Sequence, residues 1–299
     1  MNVFISCVLC AALVLGTVVP AAASGNDFEY WDVLPVDECS DAVNALSRIG
    51  VISGFADGSY RPTEQVTRAQ FAKLMSDALS LRGNKNIDMF SDVPSDHWAA
   101  MCIADGVLNG YICGYEDGTF RPDEGVTYLQ AVKMLVTGTG YAYYAEQQGG
   151  WPDGYKLYGE TLGISLSGIS YDAQLNRAQA AQLIWRAMNV PLVLYDKIIC
   201  FVSEEDFDPT MQWDIFDGVG RQWQTLLTEL HSVYIAEGYI DGDSMVITYS
   251  RNFDNEYYPD GSESEIEIVN DGYESEDRET KITALLKKND EVVELVYVF

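Results

Sequence analysis

A motif that recurs at a fixed spacing is the feature that most constrains the fold of this chain. Residues 54–62 have the sequence Gly-Phe-Ala-Asp-Gly-Ser-Tyr-Arg-Pro, and residues 114–122, at an offset of 60, have Gly-Tyr-Glu-Asp-Gly-Thr-Phe-Arg-Pro. The same offset relates residues 66–70 to residues 126–130, and a third copy of this second segment, without the preceding loop, lies at residues 175–179. Such regular self-similarity is typical of repeat architectures, in which each repeat is one supersecondary unit.

Each copy is predicted to be a helix, a loop and a second helix. In the first copy Val43, Leu46 and Ile49 lie on one side of the first helix, and Gly50 follows at the position of a C-cap glycine. One helix pair cannot bury its apolar stripe alone, so we expect the three copies to pack their second helices into a shared bundle. Each second helix opens with a capping-box pattern, a polar N-cap residue followed three positions later by Gln: Thr67 and Gln70, Thr127 and Gln130, Asn176 and Gln179.

These residues resemble the S-layer homology family. Its signature loop, Gly-aromatic-x-Asp-Gly-Thr-Phe-Arg-Pro, matches copies one and two, and its helix start, Ile-Thr-Arg-Ala-Glu, matches copies one and three with Gln in place of Glu. Phe-Ser-Asp-Val-Pro at 90–94 and His-Trp-Ala at 97–99 also look like the opening of such a repeat. The resemblance covers roughly residues 30–195 and implies repeats at 30–82, 88–142 and 150–195 that form a pseudo-threefold helical prism. With the small β-rich domain that the composition predicts after them, the expected fold class is α+β.

The resemblance also implies a ligand and its contacts. Three such repeats bind secondary cell-wall polysaccharide, often capped by a pyruvylated sugar, in the grooves between repeats. The family's main contact is the arginine of the helix start, which corresponds to Arg68 and Arg177, whereas Tyr128 replaces it in the second copy. That groove is expected either to bind through stacking on Tyr128 or not to bind. The other expected contacts are the capping residues and the glycines where the family's backbone approaches the sugar: Thr67, Gln70, Gln179, Gly54 and Gly114.

The position of the two arginines gives a physical reason for this expectation. Arg68 and Arg177 begin their helices, where free backbone N–H groups attract anions and a guanidinium can hold a carboxylate through two parallel hydrogen bonds. The alternative is that both arginines only form ion pairs with nearby acidic residues. Trp98, at the start of the first helix of copy two, is expected to line a groove or to be packed in the fold, and Trp185 is expected in the core.

The two ends of the chain differ from the repeats. Residues 1–24 contain no charged side chain, and an apolar run from Val8 to Val19 precedes Pro-Ala-Ala-Ala-Ser, which predicts a secretory signal peptide; an uncleaved interfacial anchor is the alternative. Residues 198–299 alternate short apolar runs with acidic stretches rich in Gly and Ser, which predicts an acidic β-rich domain. Its strands are predicted at 198–202, 244–249, 265–269, 281–286 and 292–299, and a short helix is predicted at 223–230.

The charge and motif content exclude several classes of function. The chain has 46 Asp and Glu against 18 Lys and Arg, so nucleic acid, which needs a basic face, is not an expected partner. No metalloprotease, nucleophile-elbow or phosphate-loop motif occurs, and we expect no catalytic residues, no cofactor and no metal site. The cysteines after the signal segment match no zinc pattern, and whether they pair or stay free is open: Cys39, Cys102, Cys113 and Cys200.

The sequence therefore predicts an exported, non-enzymatic protein of the cell wall or S-layer surface. In this prediction the repeats anchor the chain non-covalently to an anionic wall polysaccharide and display the β-rich domain, and no membrane span remains after signal cleavage. Two alternatives stay open. One is a structural subunit of a surface lattice that contacts other surface-layer proteins, and the other is an enzyme held on the wall by its repeats.

Overall fold

The computed structural model describes residues 30–81, 89–193, 225–250, 264–269, 273, 281–289 and 292–299. The predicted signal peptide at 1–24, the strand predicted at 198–202 and Cys200 lie outside these residues. Within the described ranges the chain forms eight helices followed by five strands, so the α+β class is confirmed. No helix among these residues is long and apolar enough to cross a membrane.

A pair of helices lies within each of the three ranges predicted as repeats. The helices are α1 (Ser40–Arg48), α2 (Arg68–Ala78), α3 (Ala100–Leu108), α4 (Tyr128–Gly138), α5 (Ala142–Gln147), α6 (Asp153–Thr161), α7 (Arg177–Met188) and α8 (Leu226–His231). Repeat one comprises α1 and α2, repeat two α3 and α4, and repeat three α6 and α7, while α5 lies between repeats two and three. Each first helix is followed by a glycine with positive φ, so the C-cap predicted at Gly50 is confirmed and recurs at Gly110 and Gly163.

The second helices form the centre of the helical part. In α2, α4 and α7 the N-cap side chain accepts from the N–H of the third helical residue, and the Gln there accepts from the N-cap N–H, so all three predicted capping boxes are confirmed. These helices contact one another in all three pairs, and their buried side chains, among them Phe71, Leu135 and Ile184, share one core. Burial of one such side chain contributes about 1.5–3 kcal/mol, which is why the repeats fold together.

A ring of backbone hydrogen bonds joins the repeats just before their second helices. The N–H of Val66 donates to the carbonyl of Leu175 (2.9 Å), that of Leu175 to Val126 (3.0 Å), and that of Val126 back to Val66 (3.0 Å). All three side chains are buried, so water does not compete for these bonds. Because each repeat donates to one neighbour and accepts from the other, the three repeats surround a common centre.

The C-terminal part is a five-stranded sheet. Its strands are β1 (Val233–Asp241), β2 (Ser244–Ser250), β3 (Ser264–Glu267), β4 (Ile282–Asn289) and β5 (Val292–Val298). They lie in the order β3-β2-β1-β4-β5, and every neighbouring pair is antiparallel. Val269, just after β3, forms a parallel bridge with Glu294 of β5, so the two edges of the sheet meet. The strands predicted at and after residue 244 and the helix predicted at 223–230 are confirmed, with boundaries shifted by a few residues.

The sheet shares a core with the repeats. Side chains along its strands alternate between an inner sheet core, which includes Ala236 and Leu286, and the core of the repeats, which includes Val233 and Leu285. This alternation is the period-2 pattern of a strand that is covered on both faces. The β-rich part is therefore packed onto the repeats and is not a separate body on a linker.

The sheet covers one end of the helical bundle. Nη1 of Arg48, the last residue of α1, donates to the carbonyl of Val296 (2.9 Å), and Nε2 of His231 lies 2.9 Å from the carbonyl of Ala78, the last residue of α2. Trp185, in the last turns of α7, is partly buried against the shared core, which confirms its predicted place. The capping boxes of α2 and α7 lie at the opposite ends of these helices.

Candidate functional site

Arg68 lies at the boundary between repeats one and two. Its Nε donates to the carbonyl of Phe120 (2.8 Å) and its Nη2 to that of Cys113 (3.4 Å), both between the helices of repeat two. Its guanidinium carbon lies 5.1 Å from the ring centroid of Tyr115 and 4.5 Å from that of Phe120. Only 8% of Arg68 is exposed, and burial lowers the pKa of its guanidinium, which still stays charged at any physiological pH.

Arg177 makes the same contacts at the boundary between repeats three and one. Its Nε donates to the carbonyl of Tyr60 (2.7 Å) and its Nη2 to that of Ser53 (2.9 Å), and its guanidinium lies 4.3 Å from the ring of Tyr60 and 5.1 Å from that of Phe55. Within the described residues neither Arg177 nor Arg68 forms an ion pair. The alternative that both arginines only pair with acidic residues is therefore wrong, because their partners are backbone carbonyls and aromatic rings.

A second arginine completes each of these two boundaries. The guanidinium of Arg61 lies 3.7 Å from the ring centroid of Phe55, the ring that Arg177 also faces. In repeat two, the guanidinium of Arg121 lies 3.8 Å from the ring of Tyr115, which Arg68 also faces. Each loop aromatic residue is thus held by two cations, although the loop arginines are partly neutralised by nearby Asp and Glu side chains.

Tyr128 takes the arginine's place at the boundary between repeats two and three. Its hydroxyl donates to the carbonyl of Leu166 (3.1 Å), and its ring lies 5.5 Å from that of Tyr171. Leu166 is the counterpart in repeat three of Cys113 and Ser53, whose carbonyls accept from Nη2 of the arginines. Only 1% of Tyr128 is exposed, so its ring has no face open to a sugar, and the expectation that it stacks on one is corrected.

The loop that Tyr128 faces is also the loop that departs from the repeat. Residues 167–171 occupy five positions where residues 54–62 occupy nine, and no Asp-Gly-aromatic-Arg-Pro sequence remains. The backbone contact is kept, because the N–H of Leu129 donates to the carbonyl of Tyr171 (3.0 Å) as that of Ala69 does to Pro122 (3.0 Å). Both departures from the family pattern therefore fall at one boundary.

The backbone N–H groups at the start of each second helix already have partners. The N–H of Arg68 donates to the carbonyl of Glu124 (2.8 Å), and that of the next residue donates to Pro122 (3.0 Å). The third N–H donates to the side chain of Thr67 (3.2 Å), and the same three bonds recur at Arg177 and in repeat two. The expectation of free N–H groups for an anion is wrong, because carbonyls of the neighbouring repeat satisfy them.

The loop glycines have a packing role. A Cβ added to Gly54 would lie 2.2 Å from Cε1 of Tyr30 and 2.6 Å from the carbonyl oxygen of Ser59. A Cβ added to Gly114 would lie 2.1 Å from Cε1 of Phe90. These separations are shorter than atomic contact allows, so the aromatic ring that opens each repeat lies directly on the loop glycine. The fold requires both glycines, whether or not a sugar also approaches them.

The remaining residues predicted to contact the polysaccharide lie partly in the capping boxes and partly elsewhere on the surface. Gln70 and Gln179 each accept from an N-cap N–H (2.8 and 3.0 Å), so their amide oxygens are committed to the capping boxes together with Thr67. Trp98 is 52% exposed and its ring lies 5.7 Å from that of His97. None of the contacts within the described ranges joins Trp98 to Arg68.

One group of residues was missed by the sequence reasoning. Nζ of Lys133 lies 5.3 Å from the ring centroid of Trp151, 5.4 Å from that of Tyr155 and 3.8 Å from Sγ of Cys113. A comparison of the repeats could have revealed this group. Lys133 and Lys73 occupy equivalent positions, but an Asp four residues further along the helix, Asp77, follows only Lys73.

The described thiols and carboxylates form no metal centre. No group of three or more His, Cys, Asp and Glu among these residues is arranged to hold a metal ion. Cys39, Cys102 and Cys113 are free thiols in this structure, and burial raises the pKa of the first two. A raised pKa lowers the thiolate fraction at neutral pH, so these two cysteines are poor nucleophiles.

Comparison with known proteins agrees with this arrangement. The family model of the S-layer homology domain matches residues 30–72 and 90–132. The chain is 28% identical over 198 residues (64% of its length, 18% of the relative) to the middle cell wall protein of Brevibacillus brevis. It is 34% identical over 128 residues (42% and 10%) to the surface-layer 125 kDa protein of Lysinibacillus sphaericus. It is 28% identical over 130 residues (42% and 29%) to the cellulosome-anchoring protein of Acetivibrio thermocellus.

Three points follow from these comparisons. The relatives are cell-surface and S-layer proteins, so the surface localisation predicted from the sequence is confirmed. The matches cover less than a third of the length of each of these relatives. Residues 150–195 lie outside the two segments that the family model matches, but the ring of hydrogen bonds gives them the position of a third repeat.

Proposed function

We propose that this chain, two segments of which match the S-layer homology domain, anchors itself by binding an anionic wall polysaccharide between its repeats. Surface anchoring is the function of the family as a whole, and the ligand is the part we propose. A polysaccharide that carries carboxylates, such as a pyruvylated one, fits the cationic boundaries best. The proposal includes a pseudo-threefold prism of repeats and no catalytic step.

The observation that carries the proposal is one cationic arrangement that occurs at two boundaries. Arg68 and Arg177 each use two of five N–H donors on carbonyls of the neighbouring repeat, and the described residues supply no acceptor to the remaining donors, which we propose bind the ligand. Arginine side chains are cationic at physiological pH, so both boundaries carry positive charge although the chain has a net charge of −28. Salt screens diffuse repulsion beyond about 8–10 Å, so short-range contacts with these cations decide the binding.

The boundary at Tyr128 is not expected to bind. It has no cation in the arginine's place, its aromatic ring is buried, and its loop lacks the residues that form the other two boundaries. We therefore propose two binding sites per chain. Arg177 is the more open of the two arginines, since it is only partly buried, and we expect its boundary to bind more tightly.

A sedimentation assay on wall sacculi tests the proposal. The chain from residue 25 onward is mixed with sacculi that retain their polysaccharide and with sacculi from which hydrofluoric acid has removed it. We expect binding only to the first kind. Equal binding to both kinds, or no binding to either, contradicts the proposal.

A matched pair of variants tests the arginine. Arg177→Gln should weaken binding about tenfold, as the loss of a charge-assisted hydrogen bond does. Arg186→Gln, on the exposed face of the same helix, removes the same charge away from the boundary and should leave binding unchanged. Because Arg177 also holds two repeats together, thermal unfolding of both variants must accompany the binding data. Equal affinity of two folded variants contradicts the role of Arg177.

A further inference from the structure

We infer that Lys133, together with the rings of Trp151 and Tyr155, forms a site for a carboxylate-bearing sugar of the wall polysaccharide. The inference rests on the proposed function and adds a site to the two arginine boundaries. Nζ of Lys133 lies 5.3 and 5.4 Å from the two ring centroids, within cation–π range of both. The rings are 6.4 Å apart and tilted by 57°, so the ammonium group lies beside two rings, of which Trp151 is open to solvent.

The two rings supply different parts of the site. Tyr155 is 3% exposed, and its hydroxyl donates to Oε1 of Glu146 (2.8 Å), so its ring is fixed and positions the ammonium group without itself facing the ligand. Trp151 is 49% exposed, which leaves a large part of the indole in contact with water. An exposed indole beside a cation offers a sugar an apolar surface for its C–H groups and a partner for its charge.

The described residues place no carboxylate beside Lys133 to match its charge. At the equivalent position of repeat one, Lys73 forms an ion pair with Asp77, four residues further along α2. In repeat two that fourth position is Thr137, and within the described part of the chain no carboxylate lies within ion-pair distance of Lys133. In repeat three the equivalent residue is Gln182, so among the three repeats only repeat two has an unpaired lysine at this position of the described structure. A lysine that forms no ion pair with the described carboxylates is available for an anion from outside.

The site adjoins the boundary at Arg68. The carbonyl of Cys113 accepts from Nη2 of Arg68 (3.4 Å), while Sγ of the same residue lies 3.8 Å from Nζ of Lys133. A single residue therefore separates the two cations, and a polysaccharide that contacts Arg68 reaches Lys133 with its neighbouring sugar. The ammonium group binds the carboxylate of the sugar and Trp151 contacts the sugar ring. A neutral sugar would make only the second of these contacts.

Binding of purified wall polysaccharide by variants of the chain from residue 25 onward tests the inference. Dissociation constants are measured by calorimetry for native polysaccharide and for polysaccharide whose carboxylates have been reduced to alcohols. On native polysaccharide we expect Lys133→Gln to weaken binding about tenfold and Trp151→Ala about fivefold, while Lys133→Arg stays within about twofold of the wild type. Lys73→Gln, the matched control at the paired lysine, should bind like the wild type.

The outcomes separate this inference from the proposed function. A wild-type chain that fails to bind native polysaccharide overturns both. A wild-type chain that binds, with Lys133→Gln folded and equally tight, overturns only the inference. On carboxyl-reduced polysaccharide the ratio between Lys133→Gln and wild type should fall from about ten to about one. A ratio that stays near ten shows that the anion is not a carboxylate and also overturns the inference.

Discussion

The hydroxyl of Tyr128 donates to the carbonyl of Leu166 (3.1 Å) and accepts from the N–H of the same residue (2.6 Å). At the two other boundaries an arginine reaches the equivalent carbonyl, of Cys113 or Ser53, through Nη2. The hydroxyl thus replaces the structural contact of the arginine without its charge. A boundary between repeats can therefore keep its packing after it has lost its means of holding an anion.

Tyr128→Phe should destabilise the chain and leave polysaccharide binding unchanged. The substitution removes both hydrogen bonds to Leu166 from a buried position, which costs about 1–3 kcal/mol of unfolding free energy. Urea unfolding measures the loss. Tyr171→Phe is the control, because it removes one exposed bond to Glu160 and should cost less than about 0.5 kcal/mol. Weaker binding by a folded Tyr128→Phe chain would show that this boundary takes part in recognition after all.

Gly114→Ala should destabilise repeat two through a clash with Phe90. The new Cβ would lie 2.1 Å from Cε1 of the ring, and relief of such overpacking costs about 1–3 kcal/mol. The double variant Gly114→Ala/Phe90→Ala removes the clashing ring. Thermal or urea unfolding should therefore show that Gly114→Ala costs less when Phe90 is absent, with a remaining cost from the carbonyl oxygen of Thr119, which would lie 2.8 Å from the new Cβ. The same cost in both backgrounds would mean that the strain lies in the backbone and not in the contact between Gly114 and Phe90.

His231 should make the docking of the sheet sensitive to mild acid. Its Nε2 lies 2.9 Å from the carbonyl of Ala78, and burial lowers its pKa below the ordinary value of 6.5. The unfolded chain therefore takes up a proton at a higher pH than the folded chain. Stability from this group is fully present above about pH 6.5 and is lost as the pH falls. Asp77 acts against this shift and Lys287 acts with it.

Thermal unfolding between pH 7.5 and 5.5 measures this dependence. The melting temperature should fall over that interval in the wild type. His231→Gln keeps an N–H donor for the carbonyl of Ala78 but does not titrate, so its melting temperature should change less. Most carboxylates titrate below this window, which separates their effect from that of His231. Identical pH profiles for the two chains would show that His231 does not control the docking.

The sequence predicted the parts of the fold that depend on local patterns. A few neighbouring residues are enough to predict the capping boxes at Thr67 and Asn176, the C-cap glycines and most strands. The repeat predicts how many capping boxes and C-cap glycines there are. The hydrogen bond from the N–H of Arg68 to Glu124 was not predictable, because it joins residues of different repeats. Its presence also changes the site, since it removes the anion-binding N–H group on which the sequence argument relied.

The packing of the sheet on the repeats was likewise beyond the sequence pattern. Leu285 and Leu286 are neighbours on β4 and are chemically identical, yet the first belongs to the core of the repeats and the second to the inner core of the sheet. Both side chains are fully buried. A continuous apolar run indicates a strand covered on both faces, but it does not say which element covers each face.

This pair allows a test of how the sheet supports the repeats. Leu285→Ala and Leu286→Ala should each cost about 2–5 kcal/mol, because each leaves a cavity in a packed core. Hydrogen exchange separates them: Leu285→Ala should lower the protection of α7 (Arg177–Met188), whereas Leu286→Ala should lower mainly that of β1 and β4. If Leu285→Ala leaves exchange in α7 unchanged, the repeats are stable without the sheet. We expect the opposite result, a lower protection of α7 in Leu285→Ala. This result would mean that the sheet stabilises the helix that presents Arg177, and so supports anchoring from the opposite end of the bundle.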